Sequence, residues 1–486
     1  MKGMCNTLKM KEMKKSIAIM MLVLVGITTM AQTSVWDGSR AVWTRGNGTA
    51  SSPYLIESAQ NLAFLAYMVN KGFDTEGLYF RLTTDIDLNG NEDQKWVPIG
   101  LYSKWFDDDG CDRGNQGSAS GYSPKTVFRG HFDGGEHSIS NIYVDLGTID
   151  NGVGLFGCTE GKKDRQDVEP AVIENVFVTS GYITGVICGG IVGNGSSTTS
   201  ISRCWNGATL ISNDSKSGGI IGSDAYQVYN CYNIGSISGQ YAGGIVGYGT
   251  AEIAECYNNG EVSGTYSGGI YGYSFQRKAT INNCYNTGSI FADGTVPSTS
   301  PAGPAAGGIA SFLFRGNCVI TNCYNVGTVS STEDAGCIVA YGNSTTLENN
   351  YYINTCSAGG EGVALSEDYM RSQDFVDCLN GRISDLVWAL DEDYINDGFP
   401  ILMEDNLAVA DVSETAFNVY PNPTNGIVKI EGVKVSQVQV YNILGQPVST
   451  FTNAKEINMK DLPKGIYLLR ITDKEGNSYL EKIVKE

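Results

Sequence analysis

From residue 139 onward, apolar and polar positions alternate in short runs that recur along the chain. An aromatic column reads Tyr143, Phe177, Trp205, Tyr232, Tyr257, Tyr285, Tyr324 and Tyr351. The residue before it is Ile142, Val176, Cys204, Cys231, Cys256, Cys284, Cys323 or Asn350. Two before it stands a polar residue (Asn141, Asn175, Arg203, Asn230, Glu255, Asn283, Asn322, Asn349). Four before it stands Ile139, Ile173, Ile201, Val228, Ile253, Ile281, Ile320 or Leu347. These eight copies are separated by 34, 28, 27, 25, 28, 39 and 27 residues. Between them runs a Gly-rich column: VGLFG (153–157), GGIVG (189–193), GGIIG (218–222), GGIVG (243–247), GGIYG (268–272), GGIAS (307–311) and AGCIV (335–339).

Short β-branched runs bounded by Gly are strand signals, and Gly marks tight corners or close backbone approach. A unit of this length cannot bury its own apolar face, but stacked on its neighbours it can. The pattern predicts an all-β fold: a parallel β-solenoid of about eight coils, with the insertions before Val176 and Tyr324 bulging from a corner. A β-propeller is the architectural alternative, although its blades are usually longer. Open coils need caps. Leu62, Leu65, Ala66 and Val69 lie on one helical face of 57–72, with Gly72 as a stop; 366–381 reads as a second short helix between Ser366 and Gly381.

Neighbours along a strand face opposite ways. Cys replaces Ile142 and Val176 in later copies and behaves as a small buried hydrophobe. The favoured reading puts Cys inward and the aromatics outward. It requires a corner or bulge between the Ile and aromatic columns, since these share a parity; without one the two columns exchange faces. Stacked equivalent Cβ atoms lie about 4.8 Å apart with parallel vectors. Disulfides want about 3.8 Å, so mostly free thiols are expected. An outward row at Trp205, Tyr232, Tyr257, Tyr285 and Tyr324 is a candidate surface for stacking on sugar rings. The plainer alternative is that it packs against a loop or the next corner.

Residues 1–31 read as a secretory signal: Lys9, Lys11, Lys14 and Lys15, an apolar run over 17–27, then Ala31 before Gln32. The chain carries 33 basic and 52 acidic residues. Removing 1–31, with five Lys and one Glu, leaves 28 and 51, a net of −23. That balance argues against nucleic acid or bare anionic membrane as partners. Twelve of the 13 Cys remain.

GNGTASSPYLIESAQNLAFLAYMVN (46–70), YFRLTTDIDL (79–88), WVPIG (96–100) and FRGHFDGGEHSISNIYV (128–144) together resemble the opening of bacterial surface proteins with GLUG-type repeats. The GGIVG…NCYNTG coils resemble the repeats themselves, and VWALDEDYINDGFPIL (387–402) resembles the end of such a region. Such repeats occur in adhesin-like proteins and beside the catalytic domain of immunoglobulin-cleaving metalloproteases. The resemblance implies a surface location and does not imply catalysis.

Residues 411–486 have no Cys, and their charge balances at nine basic and nine acidic residues. Five alternating runs there predict a small Ig-like antiparallel β-sandwich. YPNPTNG (420–426), VYNILGQPV (440–448) and LPKGIYLLRI (462–471) closely resemble the sorting domain of the type IX secretion system of the Bacteroidetes phylum. The matching positions are Pro421, Asn422, Pro423, Gly426, Tyr441, Gly445, Gly465 and Tyr467. The resemblance implies the secretion machinery as a partner, export through the outer membrane, removal of this domain and attachment to surface lipopolysaccharide.

Motifs for chemistry are sparse. There are two His, His131 and His137, and no HExxH. Asp133 and Glu136 beside them make a poor metal set in a stretch better explained as a turn. Gly152, Gly154 and Gly157 fit GxGxxG but belong to the Gly-rich column, with no helix following. FDDDGCDRG (106–114) is a weak Ca²⁺ loop without EF-hand spacing. A solenoid polysaccharide enzyme would show carboxylates at matching columns. The polar column offers Glu255 alone, with Asp133, Asp145 and Asp150 unplaced. The chain therefore reads as signal (1–31), capping region (32–135), repeat solenoid (136–365), cap and linker (366–410) and sorting domain (411–486). The expected function is adhesin-like binding of a glycan or a host or surface protein, without enzymatic activity or an assigned cofactor. A β-helix polysaccharide lyase or hydrolase is the alternative.

Overall fold

Each repeat folds into four short strands, and one coil shows why. In the computed structural model the strands Ile237–Gly243, Val246–Tyr248, Ala251–Ala254 and Tyr257–Asn258 follow one another around the coil. Each pairs in parallel with its counterpart one repeat later: Ile237 with Val262, Val246 with Tyr271, Ile253 with Ile281, Tyr257 with Tyr285. The structure describes residues 33–101, 126–148, 152–164, 167–294, 296, 302–381, 386–403, 418–431, 434–442, 447–460, 462–474 and 478–485. The expected signal at 1–31, the 106–114 loop, Asp150 and Gly445 lie outside them. The chain divides into two units, 1–367 and 368–486.

The first unit is the expected parallel β-solenoid. The ladder of third strands has ten rungs, from Tyr54–Ile56 and Tyr79–Leu82 through His131–Asp133 to Val339–Glu348. Its first rungs thus fall inside 32–135, the region expected to be a cap. The helix Ala59–Asn70 forms as expected: the Ser58 hydroxyl accepts the Asn61 N–H at 3.2 Å, and Leu62, Leu65, Ala66 and Val69 are buried.

The polar column is the corner. Asn175, Arg203, Asn230, Glu255, Asn283, Asn322 and Asn349 all have positive φ, between 48° and 54°. Asn tolerates this left-handed conformation better than most residues, which explains its recurrence. The corner consumes one residue without alternation. Ile253 therefore points in, Cys256 points in, Tyr257 points out and Asn258 points in. The shared parity of the Ile and aromatic columns is thereby resolved.

The first copy needs correction. Tyr143 pairs with Tyr182 on the ladder of long strands, while Phe177 pairs with Ser138. The aromatic column therefore runs from Phe177 to Tyr351 through seven positions, without Tyr143. The Gly-rich column is explained by close approach. A Cβ at Gly243 would lie 2.0 Å from the Val246 carbonyl oxygen, and one at Gly244 would lie 2.0 Å from that of Gly269. It would also lie 2.5 Å from the Asn258 side chain.

That Asn belongs to a buried ladder. Asn206, Asn233, Asn258 and Asn286 each donate to the amide oxygen of the next, ending at Asn325, at 2.8 Å per step. The thiols of Cys204, Cys231, Cys256, Cys284 and Cys323 line the core beside them. The backbone N–H of Cys204 points at Cys231 Sγ, and that of Cys231 at Cys256 Sγ, at 3.4 Å each. Asn350 takes the same role for Cys323 at 3.1 Å. Among the described residues nine cysteines are free, eight of them buried, and one disulfide joins Cys337 to Cys356.

The expected helix over 366–381 is two, Glu367–Met370 and Gln373–Asn380. Ser372, not Ser366, caps the longer one, and Gly381 ends it with φ 59°. Trp388–Ala389 pairs antiparallel with Ile401–Leu402, held to the helix end by Asn380. The rest is an antiparallel sandwich. One sheet holds Asn418–Tyr420, Ile427–Glu431 and Glu456–Asn458; the other holds Val435–Asn442, Pro447–Thr452, Gly465–Asp473 and Ser478–Lys485. Val428, Ile430, Val438, Val440, Leu469, Ile471 and Ile483 fill its core.

Candidate functional site

The corner residue sends the aromatic column outward, and parallel register stacks it. Ring centroids step 5.6 Å from Trp205 to Tyr232, 4.7 Å to Tyr257, 4.7 Å to Tyr285 and 5.1 Å to Tyr324. The planes deviate by 7° at most. The ring faces are therefore occupied by one another, and edges are what a ligand would meet. Trp205, Tyr232 and Tyr257 are half-buried, while Tyr285 and Tyr324 are buried at 2% and 0% exposure.

A second aromatic array was not read from the sequence. Tyr241 and Tyr266 end the long strands, and Tyr248, Tyr273, Phe312 and Tyr341 follow the Gly-Gly turn. Tyr248 stacks on Tyr273, Tyr273 on Phe312 and Phe312 on Tyr341, at 5.9, 4.6 and 4.9 Å. Tyr241 meets Tyr273 at 4.4 Å. Tyr241, Tyr266, Tyr273, Phe312 and Tyr341 belong to a hydrophobic cluster separate from the coil interior. Burial raises the hydroxyl pKa of Tyr241 and of Tyr273. The Lys216 ammonium lies 4.4 Å from the Tyr248 ring. The signal was present as QYAGGIVGY and TYSGGIYGY, with a Tyr two before and five after the first Gly.

The outer face of the third strands carries a polar cluster. His131 Nε2 and Arg203 Nη2 each lie 2.5 Å from a Glu174 oxygen, and Asp133 bridges Asn175 (2.8 Å) and Arg81 (3.5 Å). The imidazole beside it holds the Glu174 carboxyl below the usual carboxylate range. His137 pairs instead with Asp85, whose carboxyl it lowers likewise. The two His are thus not brought together, and Asp145 is held by Lys95 at 2.7 Å. Among the described residues no group of three or more His, Cys, Asp or Glu is placed to hold a metal. Within the Cys row burial holds Cys204, Cys256 and Cys323 well above the ordinary thiol range, and elsewhere it pushes Cys188 up to about 12.

A groove of about 770 Å³ opens near the first helix, lined among others by Phe73, Arg129, Lys162 and Thr198. Its Arg129 and Lys162 are compensated by Glu76 at 2.9 and 3.6 Å.

In the sandwich the sorting motifs converge. Asn422 Oδ1 accepts the Val484 N–H at 2.9 Å, and the Thr424 N–H donates to the Val484 carbonyl at 2.8 Å. Gly426, with φ 130°, donates to the Thr424 hydroxyl. Tyr441 donates to Gln439, and the largely buried Tyr467 to the Pro463 carbonyl, while Gly465 has φ 153°. Pro421 and Pro423 flank Asn422 in the same loop.

Residues 418–486 match the family described as a secretion system C-terminal sorting domain. The protein is a type IX secretion substrate, exported to the cell surface or the extracellular space. A third of the chain is 30% identical to the halomucin of Haloquadratum walsbyi and 29% identical to a "Putative Gly-rich membrane protein" of Evansella cellulosilytica. The matched stretches span 2% and 15% of those two proteins, a small part of their length. Among solved structures, a "putative immunoglobulin A1 protease" from Bacteroides ovatus is similar over 74% of this chain and 94% of its own, with 19% identity and a TM-score of 0.43. A likeness at that level assigns no residue and no chemistry. That protein's name stands against the expectation that the chain is not an enzyme, and that expectation is withdrawn.

Proposed function

We propose that the exported chain is an adhesin-like surface protein whose solenoid binds a glycan or a protein on another surface. The carrying observation is the pair of aromatic columns that stand outside the core and run in register over several coils. Aromatic edges supply contact area at low entropic cost. The order and spacing of the coils support reading them as GLUG-type repeats. The basic-then-apolar opening supports a leader ending at Ala31, and the sorting tail supports attachment to lipopolysaccharide. A glycan array and a panel of extracellular-matrix proteins test the binding. A Trp205→Ala/Tyr232→Ala/Tyr257→Ala variant probes the first column and Tyr241→Ala/Tyr248→Ala/Tyr273→Ala the second. One of them weakens binding by about tenfold or more. Unchanged binding in both, with cooperative melts retained, sinks the proposal.

One observation favours a second reading, an enzyme of polysaccharide lyase or hydrolase type. His131, Glu174 and Arg203 gather acid–base groups on one sheet face. Depolymerisation of a polysaccharide panel that disappears with Glu174→Gln is the expected signature.

A further inference from the structure

The chain is acidic, yet 262–332 contains one acid, Asp293, and three cations, Arg277, Lys278 and Arg315: 3 − 1 = +2 over that stretch, against −19 for the whole. The structure brings these cations to one place. In the coil before them the turn between the second and third strands is short: Gly249 and Thr250 alone separate Tyr248 from Ala251. In the next coil 274–278 intervene between the equivalent Tyr273 and Ala279, and in the following one 313–317 intervene between Phe312 and Cys318. These two enlarged corners are adjacent and in register, with Phe275 opposite Phe314 and the Gln276 N–H donating to the Phe314 carbonyl at 2.8 Å.

Phe275 is 39% exposed, and its ring stacks on Phe314 at 5.4 Å and 24°. The Arg315 guanidinium lies 4.8 Å over the Phe314 ring. Arg277, Lys278 and Arg315 are exposed, and among the described residues none has a carboxylate within 4.0 Å. The patch is continuous with the second aromatic array through Phe312, 6.0 Å from Phe314.

We propose that this doubled corner binds an anionic extracellular polysaccharide, carboxylated or sulfated; the inference rests on the binding function proposed above and names its ligand class. Arg offers a planar fork of donors to a carboxylate or sulfate, and Lys a point charge. The stacked Phe pair offers an apolar face for the C–H side of a sugar ring between charged groups. Charge complementarity selects an anion. The negative field of the rest of the chain opposes a polymer as densely charged as nucleic acid, and suits a sparser one whose charges alternate with apolar sugar faces. The protein is exported, so the polyanions it meets are those outside the cell.

The test measures binding of the full recombinant chain to sulfated, carboxymethylated and neutral dextran of one length, and to single-stranded DNA, across salt. Expected are binding to at least one anionic dextran over the neutral one and over DNA, weakened by salt, and about tenfold loss with Arg277→Gln/Lys278→Gln/Arg315→Gln. Phe275→Ser, at an exposed position, weakens binding without altering its salt slope. Lys434→Gln/Lys455→Gln/Lys460→Gln removes equal charge elsewhere and leaves binding unchanged. Equal loss in both triple variants, a preference for DNA, or no anionic preference overturns the inference. Neutral-dextran binding that survives in all variants would do so while leaving the broader binding function standing. Failure on every dextran overturns the inference, and the array then decides the broader proposal separately.

Discussion

A single residue, the corner two before each aromatic, decides which side chains enter the core. Because it adopts positive φ, Cys and Asn fall inward together and the ring between them falls outward. The inward Asn is then polar in a dry interior, tolerable because every one is bonded to the next. Asn258 Nδ2 donates to Asn286 and to the Gly260 carbonyl, and its Oδ1 accepts from Asn233 and from the Gly260 N–H. Asn258→Ala strands the two neighbouring amides and costs roughly 3–5 kcal/mol. Asn259→Ala, one residue along on the exposed side, costs roughly 0.5 kcal/mol or less; urea titration compares the two. The thiols give a second readout. Among the described residues eight of the nine free cysteines are buried, leaving Cys378 exposed. A thiol reagent should label the buried eight only after denaturation, and prompt labelling of Cys231 or Cys256 in the native state would contradict the inward placement. Glu174 supplies a pH signature. Its folded-state pKa lies below the ordinary 4.5 because His131 favours the ionised form. Its contribution is complete above 4.5 and fades as pH falls through the lowered value. Acid unfolding curves of the native chain and of Glu174→Gln should therefore converge at the acid end.

At the scale of the coil, Gly-Gly is what allows four strands to close so small a cross-section. Gly244→Ala drives a methyl into the Gly269 carbonyl and the Asn258 side chain and should cost about 3 kcal/mol or more. Gly342→Ala meets the Thr345 hydroxyl at 3.3 Å, then Thr345 Cβ and Val339 Cγ1 at 3.5 Å, and should be tolerated within about 1 kcal/mol. Hydrogen exchange should show the first change spread from its own coil to its neighbours, since each coil is stabilised only by the two beside it. This element was largely legible in the sequence, because alternation and spacing repeat where the backbone repeats. What escaped did so for physical reasons. Tyr143 obeys the sequence spacing but pairs with Tyr182, because the first corner is displaced along the chain. Tyr241 and Tyr248 lie seven residues apart and meet at 5.8 Å only because the chain reverses at the glycines. The rungs at Tyr54–Ile56 and Tyr79–Leu82 carry none of the repeat's Cys or Gly-Gly, so only their parallel pairing reveals them. The outward orientation of the candidate aromatics depends on a corner that the sequence pattern requires and that only the backbone φ displays.

For the whole molecule, the second unit determines where the first one works. The sorting signal is short in sequence but not local in space. Asn422, in the first loop of the sandwich, accepts from Val484, sixty-two residues later, and Thr424 bridges to Lys485. The last strand, Ser478–Lys485, is in turn paired along its length with Gly465–Asp473, which carries Gly465 and Tyr467. A receptor that reads the first loop therefore reads a surface held in place by the chain's end. In a host with the secretion machinery, deletion of 418–486 should leave the solenoid inside the cell envelope, folded and protease-resistant. Deletion of 482–486 alone keeps every loop motif in the sequence but removes the partners of Asn422 and Thr424, and should block export nearly as fully. Asn422→Ala loses one of the two anchors, leaves the Thr424 bond, and should export at an intermediate level. Fractionation of culture medium, surface and periplasm measures all three. Normal export of the 482–486 deletion would show that the machinery reads a linear motif and that the sandwich serves only to carry it.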